Sequence, residues 1–66
     1  MILKGYPKIG QRIKFKGIGD EILIGTVMDL SPDTILFDRK TFENYKFEIG
    51  QGAFFFWDES VEYELV

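Results

Sequence analysis

Apolar and polar side chains alternate with a period of two in three segments of this chain. The apolar members are Ile9, Ile13 and Phe15 in the first segment, Tyr45, Phe47 and Ile49 in the second, and Val61, Tyr63 and Leu65 in the third. Because successive side chains of a strand point to opposite faces, each pattern predicts a strand with one buried and one wet face. In the second segment, the spacing of Phe42, Tyr45 and Ile49 leaves a helix as an alternative.

Residues 22–30 form a longer and more continuously apolar run, which predicts a central strand. Gly25 lies inside this run, and an interior glycine often marks a β-bulge or a sharp bend. The sequence Ser-Pro-Asp-Thr at residues 31–34 suits a type I turn, so we expect a hairpin whose second strand covers residues 34–38. The apolar run at residues 53–57 predicts a further strand, which gives five or six strands in all.

The opening of the chain carries a recognisable pattern. Ile9-Gly10-Gln11-Arg12-Ile13-Lys14-Phe15, then a glycine loop, then Ile24-Gly25-Thr26-Val27 resembles the start of SH3-like barrels, including Tudor-type and KOW-type domains. The resemblance implies an all-β, strongly bent antiparallel barrel in which residues 1–66 form a single domain and the first and last strands pair. It implies an architecture alone, because one such fold hosts many functions, and the acidic segment of signalling SH3 domains is absent.

The chain contains neither cysteine nor histidine among its 66 residues. The usual catalytic base, the strongest side-chain nucleophile and the usual zinc ligands are therefore missing. No segment has the spacing of a calcium-binding loop, and a domain this small has little room for a catalytic pocket. We therefore expect a protein that is not an enzyme and that holds no metal and no other cofactor.

The cellular location is predicted from what the sequence lacks. No stretch approaches the ~20 apolar residues of a membrane span, and the first residues do not have the layout of a signal peptide. We therefore expect a cytoplasmic protein that does not contact a membrane.

Charge is divided unevenly along the chain, whose formal net charge is −3. Residues 1–19 hold five basic side chains and no acidic one, while residues 20–66 hold eleven acidic and three basic side chains. Such a division indicates either two oppositely charged binding faces or pairing between the two ends of the chain.

Arg12, Lys14 and Lys16 are expected to share one face of the first long strand. As a basic stripe, they predict a phosphate-binding surface for nucleic acid. The structural alternative is that pairing of the first and last strands sets these cations against Glu62 and Glu64. The acidic sequence pI of about 4.7 favours the structural alternative.

The run of aromatic residues before Asp58 is the strongest candidate for a binding surface. If residues 53–57 form a strand, either Phe54 and Phe56 or Phe55 and Trp57 must lie on its outer face. An exposed aromatic patch marks an interaction surface, and tryptophan is favoured at binding hot spots. We therefore expect a partner-binding patch around Trp57 and Phe55. Two alternatives are cover by the N-terminal residues 1–6 and a homodimer contact.

Four further residues complete the predicted partner-binding site. Asp58 and Glu59 are expected at the rim of the patch, where negative charge would steer the protein towards a basic surface. Tyr6 and Phe42 are in or next to predicted loops, where binding residues often lie.

The favoured function is a protein–protein interaction module that binds a larger protein. A nucleic-acid-processing enzyme offers a suitable basic surface, which suggests a small regulator or inhibitor, and small genes of this kind are typical of phages and other mobile elements. The second hypothesis is a nucleic-acid-binding barrel that uses the basic first strand. The third is a structural subunit of a homo-oligomer, and for the favoured function we expect a monomer or a weak homodimer.

Overall fold

The computed structural model describes residues 1–66 and contains six β-strands and no helix. The strands are β1 (Leu3–Lys4), β2 (Arg12–Lys16), β3 (Ile22–Leu30), β4 (Thr34–Phe37), β5 (Phe54–Phe56) and β6 (Glu62–Leu65). They form one antiparallel sheet in the order β1-β6-β2-β3-β4-β5. The predicted all-β class is therefore confirmed. No helix is present that is long and apolar enough to cross a membrane.

The long strand β3 pairs with two different neighbours along its length. Its first part, through Thr26, pairs with β2, and its second part, from Val27, pairs with β4. The register with β4 shifts between Val27 and Asp29, so the bulge lies after Gly25 and not at Gly25 itself. Gly25 has a different role, because a Cβ atom there would lie only 2.6 Å from the Phe42 ring and 2.8 Å from the Phe37 ring. The ring packing against β3 therefore requires a glycine at this position.

The predicted hairpin and the predicted pairing of distant strands are both present. The Ser31 N–H donates to the Thr34 carbonyl at 2.9 Å and closes the turn between β3 and β4. The last strand, β6, lies beside β2 with Lys14 opposite Glu64 and Phe15 opposite Tyr63. The last strand of the chain thus lies between the two strands nearest the N-terminus, β1 and β2.

The core collects the inward-facing side chains of four strands together with two residues that flank β5. Its buried members are Ile13, Phe15, Leu23, Val27, Ile35, Phe37, Ala53, Trp57 and Tyr63. The alternation predicted a buried position for Ile9 and for Leu65, and both are exposed. Ile9 lies in a turn before β2. Leu65 is opposite Ile13 of β2, but it is the last residue of β6 and its side chain remains exposed.

The segment between β4 and β5 contradicts the predicted strand, and it is not a helix either. Its only strand-like pairing is one isolated bridge between Glu43 and Ile24. Asn44 has a positive φ of 70°, which interrupts an extended strand. Phe47 packs on Phe42 with ring centroids 5.1 Å apart, while Ile49 is fully exposed. The alternation thus reflects aromatic packing within a loop.

The two edge strands of the sheet, β1 and β5, are not joined by a ladder, so the sheet remains open. Trp57, which follows β5, spans this gap with its side chain. The indole Nε1–H donates to the carbonyl of Gly5, which follows β1, at 2.8 Å. Gly5 has a φ of 105°, a conformation that only glycine adopts without strain.

Candidate functional site

The side chains of β5 alternate between solvent and core. Phe54 and Phe56 are 60% and 83% exposed, whereas Trp57 is only 4% exposed and Phe55 is half-buried. Phe55 packs on the Phe42 ring at a centroid distance of 5.3 Å, and Trp57 packs on Phe15 at 5.2 Å. The expectation that Trp57 and Phe55 form the exposed patch is therefore wrong, because the side chains of these two residues are on the side of the strand that faces the core.

The backbone of β5 has one satisfied side and one free side. Ala53 and Trp57 bond to the β4 side: the Phe37 N–H donates to Ala53 and the Trp57 N–H donates to Asp33, each at 2.9 Å. Since bonded positions alternate along an antiparallel strand, the N–H and C=O groups of Phe54 and Phe56 point away from β4. The structure has no strand on that side of β5. We call Phe54 and Phe56, with these backbone groups, the β5 edge.

A groove of about 280 Å³ runs along this part of the molecule. It is lined by residues 54–57, by residues 15–18 at the end of β2 and just after it, and by Tyr45 and Phe47 from the loop between β4 and β5. No residue of β4 lines it, so we place it on the side of β5 that faces away from β4. We call it the seam groove. Ile18 on its far wall is 100% exposed, so both walls present apolar surface to solvent.

Three carboxylates lie at the C-terminal end of β5. Asp58 and Glu59 follow Trp57, and Asp33 is held beside this end of the strand by the bond from the Trp57 N–H. All three are exposed, and none forms an ion pair within the protein. The Ser60 hydroxyl and then the Ser60 N–H donate to Asp58, and these bonds lower the pKa of the Asp58 carboxyl below its ordinary value.

Tyr6 and Phe42, which the sequence placed among the candidate contacts, serve mainly internal packing. The Tyr6 hydroxyl donates to the Pro32 carbonyl at 2.5 Å and lies 3.4 Å from the Trp57 carbonyl. Phe42 is half-buried and stacks on Phe55. Neither residue lines the seam groove.

The basic first strand is largely neutralised by acidic neighbours. Arg12 forms an ion pair with Glu43 and also donates to Thr26 Oγ1 at 3.0 Å. Lys14 lies 3.9 Å from Glu64. Only Lys16 is without an ion-pair partner among the three cations. The cations therefore do not form a free stripe, which favours the structural explanation of this pattern.

The structure also shows sites that the sequence did not single out. The fold brings Ile18 and Tyr45 to the seam groove beside β5 and Asp33 to the C-terminal end of that strand. The sequence indicated Phe54 and Phe56 only as the alternative exposed pair. The alternation of side chains in β4 was the signal in the sequence that could have revealed the orientation. If Ile35 and Phe37 face the core, the residues paired with them on β5 must face the core as well. No cluster of three or more acidic side chains is arranged to hold a metal ion.

Comparison with known proteins gives no match: no family model, no curated protein and no solved structure corresponds to this chain.

Proposed function

We propose that this protein is a non-enzymatic protein–protein interaction module that binds a larger protein through the β5 edge. The observation that carries the proposal is the pair of exposed phenylalanines, Phe54 and Phe56, on one face of a strand with a free edge. Small domains rarely leave large neighbouring aromatic side chains in water unless a partner covers them. Aromatic side chains are also enriched at the centres of protein interfaces.

The proposed architecture is a small SH3-like barrel. Three features support it: β6 returns to pair with β2, the two halves of β3 pair with β2 and β4 around a register shift, and Trp57 spans the remaining gap to Gly5. A strongly bent sheet of this kind places β5 close to the loop that follows β2. The seam groove is then the space between them.

The proposed partner presents a basic surface. Asp33, Asp58 and Glu59 are exposed acidic side chains, and none of them forms an ion pair within this chain. Complementary charge raises the rate of association and excludes wrong partners more than it raises affinity. A nucleic-acid-processing protein has such a surface, so we propose that the module acts on one as a regulator or inhibitor.

The test is affinity capture from lysate of source cells, run with and without nuclease treatment, with three versions of the protein. These are the wild type, the double variant Phe54→Ser/Phe56→Ser, and the control Ile9→Ser. Ile9 is 61% exposed, much like Phe54, but lies in a turn outside the seam groove. We expect one protein to be retained by the wild type and by the control and to be lost with the double variant.

Two results would contradict the proposed function. If capture ends when nucleic acid is digested, the protein binds nucleic acid instead. If the double variant retains the same protein as well as the wild type does, the exposed phenylalanines do not form the interface. Circular dichroism of all three versions checks that each is folded.

A further inference from the structure

The two edges of the sheet differ in how they are protected against pairing with another chain. Both edge strands are short, but the β1 edge carries Lys4 and is followed closely by Pro7, and charged or proline-bearing edges resist pairing. The β5 edge has neither a charge nor a proline within the strand, and its exposed side chains are Phe54 and Phe56. Only one edge is therefore open to an added strand.

We propose that the β5 edge binds an extended segment of the partner as an additional β-strand, laid into the seam groove. This inference rests on the proposed function and specifies how the partner is held. Main-chain hydrogen bonds give affinity in this kind of recognition, and pockets for alternate side chains give selectivity.

The backbone of the β5 edge supplies the pairing groups. The N–H and C=O of Phe54 and Phe56 point away from β4, and no group of the protein satisfies them. An added strand pairs with both residues, since bonded positions recur at every second residue. The backbone groups of the neighbouring residues Ala53, Phe55 and Trp57 point towards β4, so the pairing site is limited to the backbone groups of Phe54 and Phe56.

The seam groove sets the side chains that the segment must carry. Alternate residues of the added strand would point into the groove, between β5 and the wall formed by Ile18, Tyr45 and Phe47. A volume of about 280 Å³ lies near the lower limit of ordinary ligand pockets, so it suits apolar side chains and not a second folded element. The segment is therefore apolar at every second position.

Charge gives the segment a polarity. Asp33 and Asp58 lie at the C-terminal end of β5, and Lys16 lines the groove. A lysine or arginine of the segment is favoured at the end that lies over the two aspartates. Basic residues are disfavoured beside Lys16.

A second copy of this chain is a poorer occupant. Antiparallel pairing of two β5 strands would place the acidic end of one opposite Gly52 of the other, where β5 itself has no cation. An extended basic segment satisfies both the free backbone and the charge.

The experiment begins with selection from a displayed library of random peptides of about twelve residues. We expect enrichment of peptides with alternating apolar residues, a lysine or arginine towards one end and no proline in the alternating stretch. The best peptide is then synthesised with single N-methyl groups at each position in turn. Because only every second N–H of an added strand faces β5, methylation should weaken binding roughly fivefold or more at alternate positions and leave the intervening positions unchanged.

A matched pair of protein variants tests the same point from the other side. Phe56→Ala and Phe56→Pro both remove the aromatic ring, but only the proline removes the N–H, which makes no bond within the domain. Proline is tolerated in edge strands where the N–H faces solvent. We expect Phe56→Pro to bind the selected peptide roughly fivefold more weakly than Phe56→Ala does.

Each alternative outcome overturns the strand-addition proposal in a recognisable way. If no peptide is enriched, or if N-methylation shows no alternation, the β5 edge does not bind an added strand. Concentration-dependent dimerisation that Phe56→Pro abolishes would make a second copy the occupant. Loss of the captured protein with Phe54→Ser/Phe56→Ser, together with a flat N-methyl scan, would leave the proposed function standing and reject strand addition alone.

Discussion

Replacing Trp57 by alanine should strongly lower the free energy of unfolding of the protein. The indole ring is 4% exposed, contacts Phe15 and Tyr63 at centroid distances of 5.2 and 6.4 Å, and donates to Gly5 at 2.8 Å. Truncation of a buried tryptophan typically costs about 3–5 kcal/mol. At about 0.05–0.15 kcal/mol per residue, the whole 66-residue chain has an unfolding free energy of about 3–10 kcal/mol. The substitution therefore removes a third or more of the total stability.

The assay is urea denaturation followed by circular dichroism, with Phe56→Ala as the control. For a protein this small the free energy falls by about 1 kcal/mol for each molar increment of urea, so Trp57→Ala should lower the midpoint by about 3 M or be unfolded without denaturant. Phe56 is the neighbouring residue but is 83% exposed, and its replacement should change stability by only about 0.5 kcal/mol. Equal midpoints for the two variants would refute the assignment of Trp57 to the core.

Two further predictions concern backbone packing and charge. Gly25→Ala places a Cβ 2.6 Å from the Phe42 ring and should lower the free energy of unfolding by about 1–3 kcal/mol, measured as a fall in Tm. In the control Gly19→Ala, the new Cβ meets only the flexible Glu21 side chain, so Tm should stay nearly unchanged. Equal falls in Tm for the two variants would contradict the close approach at Gly25. Ser60→Ala removes the largest cause of the lowered pKa of Asp58, so NMR titration of that carboxyl should show a higher pKa than in the wild type. Because the pKa is lowered in the folded protein, the associated stability is present at neutral pH and is lost as pH falls through the folded-state value; an unchanged Asp58 titration would show that Ser60 is not the cause.

The sequence predicted the strands whose alternation arises from a sheet with one covered face. Ile13 and Phe15 in β2 and Tyr63 in β6 are buried as expected, and the Ser-Pro turn forms the expected hairpin. Tyr45 and Phe47 show the same alternation for another reason, because their rings pack on Phe42 and Phe55 while the chain stays in a loop. Tyr45 and Ile49 are exposed and only Phe47 is half-buried, so the alternation by itself does not distinguish a strand from a loop that packs on an aromatic cluster.

The sequence located the candidate site but did not show which of its aromatic side chains face solvent. The run before Asp58 contains four consecutive aromatic residues, and a strand must expose two of them. The preference of tryptophan for interfaces favoured the wrong pair, because Trp57 also has an N–H that needs a partner when buried. The Gly5 carbonyl supplies that partner from 52 residues away, and no local pattern reveals so distant a contact.

The position of Trp57 also explains why the β5 edge stays free. A backbone ladder between β1 and β5 would close the sheet and satisfy the β5 edge. Instead, a single side-chain bond from Trp57 to Gly5 holds the two edges near each other without joining their backbones. Because side chains alternate along the chain, Trp57 is buried and secures the fold, whereas the preceding residue, Phe56, faces solvent. Stability and the proposed binding thus depend on adjacent residues of opposite parity, so substitutions at Phe56 can abolish binding in a protein that remains folded.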